Sequence, residues 1–369
     1  MTATDAKSVT VAFDVESRGA ATAAAAEDRR ARLRANLLTL LYFLAWFILS
    51  VVFNIYNKKA LQALAMPYLV AEFQLFAGIP IIAFFWLTKL RKTPILDWQT
   101  LKPLVLIAVF HCGTHLAGIL AMDAGAVSFA HIIKSGEPFS TAILSAVLLR
   151  TYYSWQVYVT LIPVCAGIAM ASVSELSFTW KAFATAVISA VSGSLRGIYS
   201  KEKLKDTRGR NLEAQNLYSV LTIISFILLL PVGVLADADK FVGRWTAAMN
   251  SKDGAMSLVW LAISGVSYFL YNEFAFLALE SVSPVTHAVG STFKRVFVIG
   301  TAIVVFRTPV SLLGWIGSST AVIGVLVFSL AKTRYSSPKK AIDPVVDDSP
   351  TKPATSVHLS STKDPNDDS

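Results

Sequence analysis

The sequence predicts an all-α polytopic membrane protein with ten transmembrane helices arranged as a five-plus-five inverted repeat. Three observations carry that prediction: ten long apolar runs, loop charge that is heavy on alternate sides, and short echoes between the two halves. The composition agrees. Of the 369 residues, 54% are hydrophobic and only 15% charged, where a soluble domain carries about 25% charged residues. Mean hydropathy is +0.56. A soluble enzyme or a DNA-binding protein is therefore a poor fit. The formal charge of +9 is dispersed over short loops and tails between apolar runs.

A bilayer-spanning helix needs about 20 mostly apolar residues. Such runs lie at roughly 36–56, 67–88, 103–122, 126–149, 153–172, 182–200, 214–236, 256–279, 284–306 and 309–331, the sixth interrupted by Arg196. Spanning strands would alternate over short segments, and these runs do not. The membrane core is residues 36–332, with halves at about 36–172 and 182–331, and nothing between the runs is long enough for a second domain. Polar tails flank it at 1–35 and 333–369, and both read as disordered. The first tail has no apolar core and holds five acids, so it is neither a secretory signal nor an acid-poor transit peptide. Cys112 and Cys165 sit inside apolar runs, with no disulfide or metal-ligand spacing.

Loop charge sets the orientation. If the termini and the even-numbered loops share a side, that side carries eighteen Lys and Arg near helix ends, from Arg29 to Lys340, against seven opposite. This is a positive-inside bias. The repeat shows in matched marks: Val127-Ser128 opens the fourth run as Val282-Ser283 opens the ninth, and Arg150-Thr151 closes the fourth as Arg307-Thr308 closes the ninth. Gly167 and Gly324 each follow sixteen residues after those threonines. An odd number of helices per half inverts the second copy, as in many secondary transporters.

Ionisable groups inside the runs carry the functional signal, since each costs roughly 2.5–3.5 kcal/mol at the bilayer centre. Lys134 lies about eight residues into the fourth run, Lys294 and Arg295 sit near the middle of the ninth, and Arg196 is two-thirds along the sixth. Glu137, at i+3 from Lys134, and Glu273 could pair with some of them. One or two carboxylates cannot neutralise four cations, and a small multivalent anion suits the surplus. Arginine offers a fork of donors to phosphate or carboxylate, and lysine a compact point charge. His111, His115, His131 and Tyr271 lie in the same runs, where a histidine serves either as an interhelical hydrogen-bonder or as a ligand. No phosphate loop, nucleophile–base pair or metal cluster is visible, so neither an enzyme nor a cofactor is expected. The expected partners are small anions and membrane lipids, with no nucleic acid; the oligomeric state is not legible.

The same residues carry a resemblance. Phe129-Ala130-His131-Ile132-Ile133-Lys134-Ser135-Gly136-Glu137-Pro138-Phe139 resembles a motif of the plastid phosphate translocators, within the drug/metabolite transporter superfamily. Leu270-Tyr271-Asn272 and Ser283 to Gly290 followed by Lys294-Arg295 are similar too, and the likeness runs from about Leu41 to Lys332. It implies ten helices in a plastid membrane and strict counter-exchange of inorganic phosphate for phosphorylated C3 to C6 metabolites. By motif position, Lys134, Lys294 and Arg295 would hold phosphate, and Tyr271 would match the family tyrosine. His115 would match the histidine of the triose- and hexose-phosphate branches, and Arg196 would meet the organic end. The expected substrates are triose phosphate and 3-phosphoglycerate, moved by alternating access.

Three positions depart from the family pattern: Glu273 for a usual glutamine, Gly193 for a frequent aromatic, and Gly118 for a frequent hydroxyl. Each bears on room or charge around the organic moiety. The absent transit peptide fits a chain already trimmed, or an outer membrane of a complex plastid. Competing readings are a hexose-phosphate or phosphoenolpyruvate exchanger, a Golgi or endoplasmic-reticulum nucleotide-sugar transporter, and an enzyme acting on lipid phosphates.

Overall fold

Two prolines divide what the apolar runs make continuous. The fourth run is a pair of helices, and Pro138 cannot donate to the carbonyl four residues back, that of Lys134, where the first of the pair ends. Pro163 stands in the same relation to Val159 in the fifth run. The computed structural model describes the backbone of residues 3–205, 211–282 and 284–335, and these form thirteen helices. In chain order they are α1 (Ala3–Leu64), α2 (Pro67–Leu87), α3 (Trp98–Ala124), α4 (Val127–Lys134), α5 (Glu137–Leu149), α6 (Trp155–Val159) and α7 (Leu161–Val173). There follow α8 (Trp180–Lys205), α9 (Ala214–Asp237), α10 (Phe241–Met249), α11 (Gly254–Ser281), α12 (Pro284–Phe306) and α13 (Leu312–Tyr335).

Eight stretches of the described residues are long and apolar enough to cross a membrane. They match the expected runs except the sixth and ninth, which fall on α8 and α12, the helices carrying Arg196, Lys294 and Arg295. Helical backbone begins at Ala3, upstream of the expected first run and over the segment read as a polar tail. The unit formed by the described helices ends at Ser336. Of the expected disordered tail 333–369, residues 333–335 continue α13 and 336–369 lie outside the described residues, as do Arg208, Arg210 and Ser283.

Local chemistry explains several helix ends. Asp97 caps α3, its side chain accepting from the Thr100 amide at 2.8 Å. The Lys58 ammonium of α1 donates to the Met122 and Gly125 carbonyls at 2.6 and 2.9 Å, satisfying orphan acceptors at the α3 C-terminus. Arg150 and Arg307, at the ends of α5 and α12, both turn left-handed with φ of 49° and 50°. The threonine after each then folds back onto its helix, Thr151 N to Ser145 O at 3.1 Å and Thr308 N to Ile303 O at 3.2 Å.

The most extensive helix pairings are α1 with α11, α3 with α8, α7 with α13, α2 with α9 and α2 with α11, and α4 packs on both α8 and α12. Small residues bring the backbones together. A Cβ added at Gly167 of α7 would lie 2.4 Å from the Ala321 amide nitrogen of α13, and one at Gly317 would lie 2.6 Å from Ala171 N. The α3–α8 seam is clamped reciprocally: Thr114 Oγ1 donates to Ser189 O at 2.8 Å and Ser189 Oγ to Thr114 O at 2.6 Å. Gln74 of α2 donates to Asn57 of α1 at 2.7 Å and to Ser264 of α11 at 3.2 Å. Such buried amide and hydroxyl links fix which helices pair, a job that apolar side chains do poorly inside lipid.

Candidate functional site

The α4–α5 break is where the charged residues gather. Ending α4 at Lys134 sets a cation at the negative pole of one short helix, and starting α5 at Glu137 sets a carboxylate at the positive pole of the next. The two side chains point to different partners. Glu137 Oε2 accepts from Arg295 Nη2 of α12 at 2.6 Å. Lys134 Nζ instead extends toward α3, 3.6 Å from where a Cβ on Gly118 would stand.

Lys294, next to Arg295 on α12, lies over two aromatic faces, with its ammonium 4.9 Å from the Trp46 ring centre and 5.5 Å from that of Tyr271. Cation–π contact offsets part of its desolvation. Trp46 is itself stacked on His287 at 4.8 Å. Two donors beside these cations are buried without an acceptor among the described residues, Trp46 Nε1 and Arg295 Nη1. Buried donors are nearly always bonded, so these two mark a place for an acceptor.

Arg196 of α8 reaches α3, where its Nη1 donates to His111 Nδ1 at 3.1 Å. That leaves the His111 proton on Nε2, facing the Tyr268 hydroxyl at 3.4 Å. His115, one turn on, donates from Nε2 to Ala71 O at 3.0 Å and packs 4.2 Å from the Tyr268 ring. His131 bonds Asn54 Oδ1 of α1 at 2.7 Å. All three histidines are thus engaged as interhelical hydrogen-bonders. Lys134, Arg196, Lys294, Arg295 and Glu137 are close enough for their charges to act on one another, and Arg196 also acts on Tyr271 and His115. All six sequence-predicted residues therefore fall in one region, drawn from α3, α4, α8, α11 and α12.

Among the described residues, the salt bridges assign Glu137 to Arg295 and Glu273 to Arg91. Among the described residues, Lys134, Lys294 and Arg196 have no carboxylate within ion-pair distance. Glu273, expected beside the cationic cluster, is instead occupied by Arg91, which follows α2 and also donates to Ser219 of α9 at 3.4 Å. The i+3 spacing suggested Glu137 for Lys134, but the helix break and the approach of α12 give it to Arg295. The glycines at the family departures do not open empty space. A Cβ at Gly193 would stand 3.0 Å from Glu137 Oε1 and 3.2 Å from Thr114 Oγ1. Trp46 and Thr114 escaped the sequence reading, because an apolar-looking tryptophan and a lone threonine carry no charge signal. A separate hollow of about 730 Å³ behind the break, lined by residues such as Ile133, Phe139, Ile168 and Phe183, is apolar and holds none of the cations.

Fold and centre together define a polytopic helical membrane protein with a cationic interior. The sequence model of the Triose-phosphate Transporter family matches residues 37–329, and the chain belongs to that family. It is 35% identical over 310 residues to glucose-6-phosphate/phosphate translocator 1 of Arabidopsis thaliana, covering 84% of this chain and 79% of the relative. With the triose phosphate/phosphate translocator of Flaveria pringlei it shares 36% identity over 310 residues, 83% of this chain and 74% of the relative. With phosphoenolpyruvate/phosphate translocator 2 of Arabidopsis thaliana it shares 38% over 294 residues, 79% and 76% of the two chains. All three relatives are described as chloroplastic.

Proposed function

We propose that this chain is an antiporter of a plastid membrane, exchanging inorganic phosphate for phosphorylated C3 metabolites (triose phosphate and 3-phosphoglycerate) by alternating access. The observation that carries the proposal is the charge imbalance at the centre: Lys134, Arg196, Lys294 and Arg295 against Glu137. In this reading Lys134, Lys294 and Arg295 hold the phosphoryl group, with Arg295 Nη1 offering the donor that Glu137 leaves open. Tyr271 stands beside Lys294 in the same region, while Arg196 and His115 meet the organic end. Plastid location follows from the relatives, each named a chloroplastic phosphate translocator. Exchange of glucose 6-phosphate or phosphoenolpyruvate is the second reading, since relatives named for those two metabolites are 35% and 38% identical to this chain.

The ten-helix inverted repeat is part of the proposal, and the helix pairings support it. With α4–α5 and α6–α7 counted as the fourth and fifth spans, α8, α9, α11, α12 and α13 are the sixth to tenth. Equivalence of each span with the one five later requires that a first–eighth contact be mirrored by a third–sixth contact. Those are α1–α11 and α3–α8, the two most extensive pairings. The second, fourth and fifth spans each pack against their own counterpart, contacts that the same symmetry maps onto themselves. The left-handed Arg150 and Arg307 fall at matching ends.

Counter-exchange then follows from electrostatics. Closing an empty carrier buries unpaired cations, which is severely costly, whereas a bound dianion offsets that cost. Proteoliposomes loaded with phosphate and challenged in turn with dihydroxyacetone phosphate, 3-phosphoglycerate, phosphoenolpyruvate and glucose 6-phosphate test the assignment. Strongest exchange with the first two is expected. Preference for glucose 6-phosphate or phosphoenolpyruvate selects the second reading, and indifference to all four, with phosphate itself not exchanged, overturns both.

A further inference from the structure

A carboxyl outside the cationic centre has no assigned role. Glu72 lies in the second turn of α2, is 7% exposed, and has neither carboxyl oxygen bonded to any described residue. Its stem rests on Gly233 of α9, where an added Cβ would be 3.7 and 3.9 Å from Glu72 Cβ and Cγ.

The groups on the surrounding helices are engaged elsewhere. From α9, Asp237 accepts from the Leu69 amide at 3.2 Å and pairs with Arg244 of α10 at 3.6 Å. From α3, Cys112 lies within electrostatic reach of Glu72, but its thiol is directed to Ser225 O at 3.3 Å, and His115 donates to Ala71 O. From α11, Tyr268 packs tilted against His115 and faces His111. From α1, the polar contact to α2 is the uncharged Asn57, and Lys58 is committed to the α3 carbonyls. Among the described residues no cation answers Glu72.

An isolated carboxylate in such a place does not stay ionised; it takes up a proton instead. The geometry assigns Glu72 as a proton-binding site whose occupancy is required for α2 to pack against α9, making the proton a second ligand of the protein. The coupling path is short. Ala71, the preceding residue, holds His115 of the candidate substrate site, so the seating of α2 and the shape of that site are set together. For transport this rests on the exchange reading above: when α2 parts from α9 water reaches Glu72, and the ionised form resists repacking. Exchange should slow as pH rises.

The test is phosphate–phosphate homoexchange in proteoliposomes, comparing wild type with Glu72→Gln, which holds the neutral form. Taking the variant-to-wild-type ratio at each pH removes the ionisation of phosphate itself. A ratio near one at about pH 6 that grows to about threefold or more by about pH 8.5 is expected; a ratio constant across that range overturns the proposal. An assay independent of transport, and of the variant's folding, uses wild type alone. Dicyclohexylcarbodiimide modifies protonated carboxyls in apolar surroundings, and peptide mass spectrometry locates the adduct. Labelling of Glu72 at about pH 6 that fades at about pH 8.5 is expected, with ion-paired Glu137 spared. An unlabelled Glu72 at the lower pH overturns the site. A protein that is labelled but exchanges no phosphate overturns the transport reading and leaves the proton site standing.

Discussion

Arg295 is held by Glu137 through one side of its guanidinium and left open on another. A fork with one arm neutralised remains anchored yet still needs an anion, which suits a group that must bind and release. Removing a donor that pairs with the bound anion costs about 2–5 kcal/mol, so Lys294→Ala and Arg295→Ala should each lower phosphate exchange by about a hundredfold. Initial rates in proteoliposomes check this. Glu137→Gln leaves Arg295 unpaired in the interior, a loss of about 3 kcal/mol or more. Its melting temperature in detergent should fall, and added phosphate should raise it more than in wild type, because the anion then supplies the missing partner. A phosphate shift no larger than in wild type would count against this account of Arg295.

The cations were legible because lipid makes each one expensive, so four in apolar runs demand a reason. Their partners were not. Glu137 looked like the helix-face neighbour of Lys134, and only the approach of α12 shows it serving Arg295. Glu273 is two residues from Tyr271 of the site region, yet its carboxylate turns to Arg91 from the end of α2. Such choices depend on tertiary packing, which residue spacing does not encode.

At the scale of elements, the apolar runs were legible for the same reason the fold exists: in lipid every backbone polar group must bond within its own helix. Run counting cannot see a break that leaves hydropathy untouched, and Pro138 and Pro163 split two runs in that way. Pro138→Ala permits α4 and α5 to join. Helix propensity then favours the variant by up to about 3 kcal/mol, while Lys134 and Glu137 lose their places at two helix ends. Unchanged or higher thermal stability with slower exchange is the expected pair of results, and exchange at the wild-type rate would show that the break is dispensable. The α7–α13 seam makes a separate prediction. Gly167→Leu drives a side chain into the Ala321 backbone, an overpacking cost of about 1–3 kcal/mol or more. A lower melting temperature should accompany it, and phosphate affinity of the protein that remains folded should be unchanged.

On the whole-molecule scale, the proposed repeat and the charge imbalance act together. The proposed two-fold arrangement accounts for the contact of α4 with α12, where cations from both proposed halves meet with Glu137 as their one ion-paired acid among the described residues. The faint echoes in sequence, Arg150-Thr151 with Arg307-Thr308 and Gly167 with Gly324, mark a helix end and a close crossing, the places where backbone geometry limits the choice of residue. Elsewhere lipid accepts many apolar side chains, and the two halves have little reason to stay alike. The central claim is that surplus buried charge forbids the empty carrier from crossing. Uptake of labelled phosphate into proteoliposomes, with and without phosphate inside, tests this most directly. The account predicts rapid uptake against internal phosphate and a drop of about tenfold or more into vesicles that lack it; equal uptake into both would contradict it.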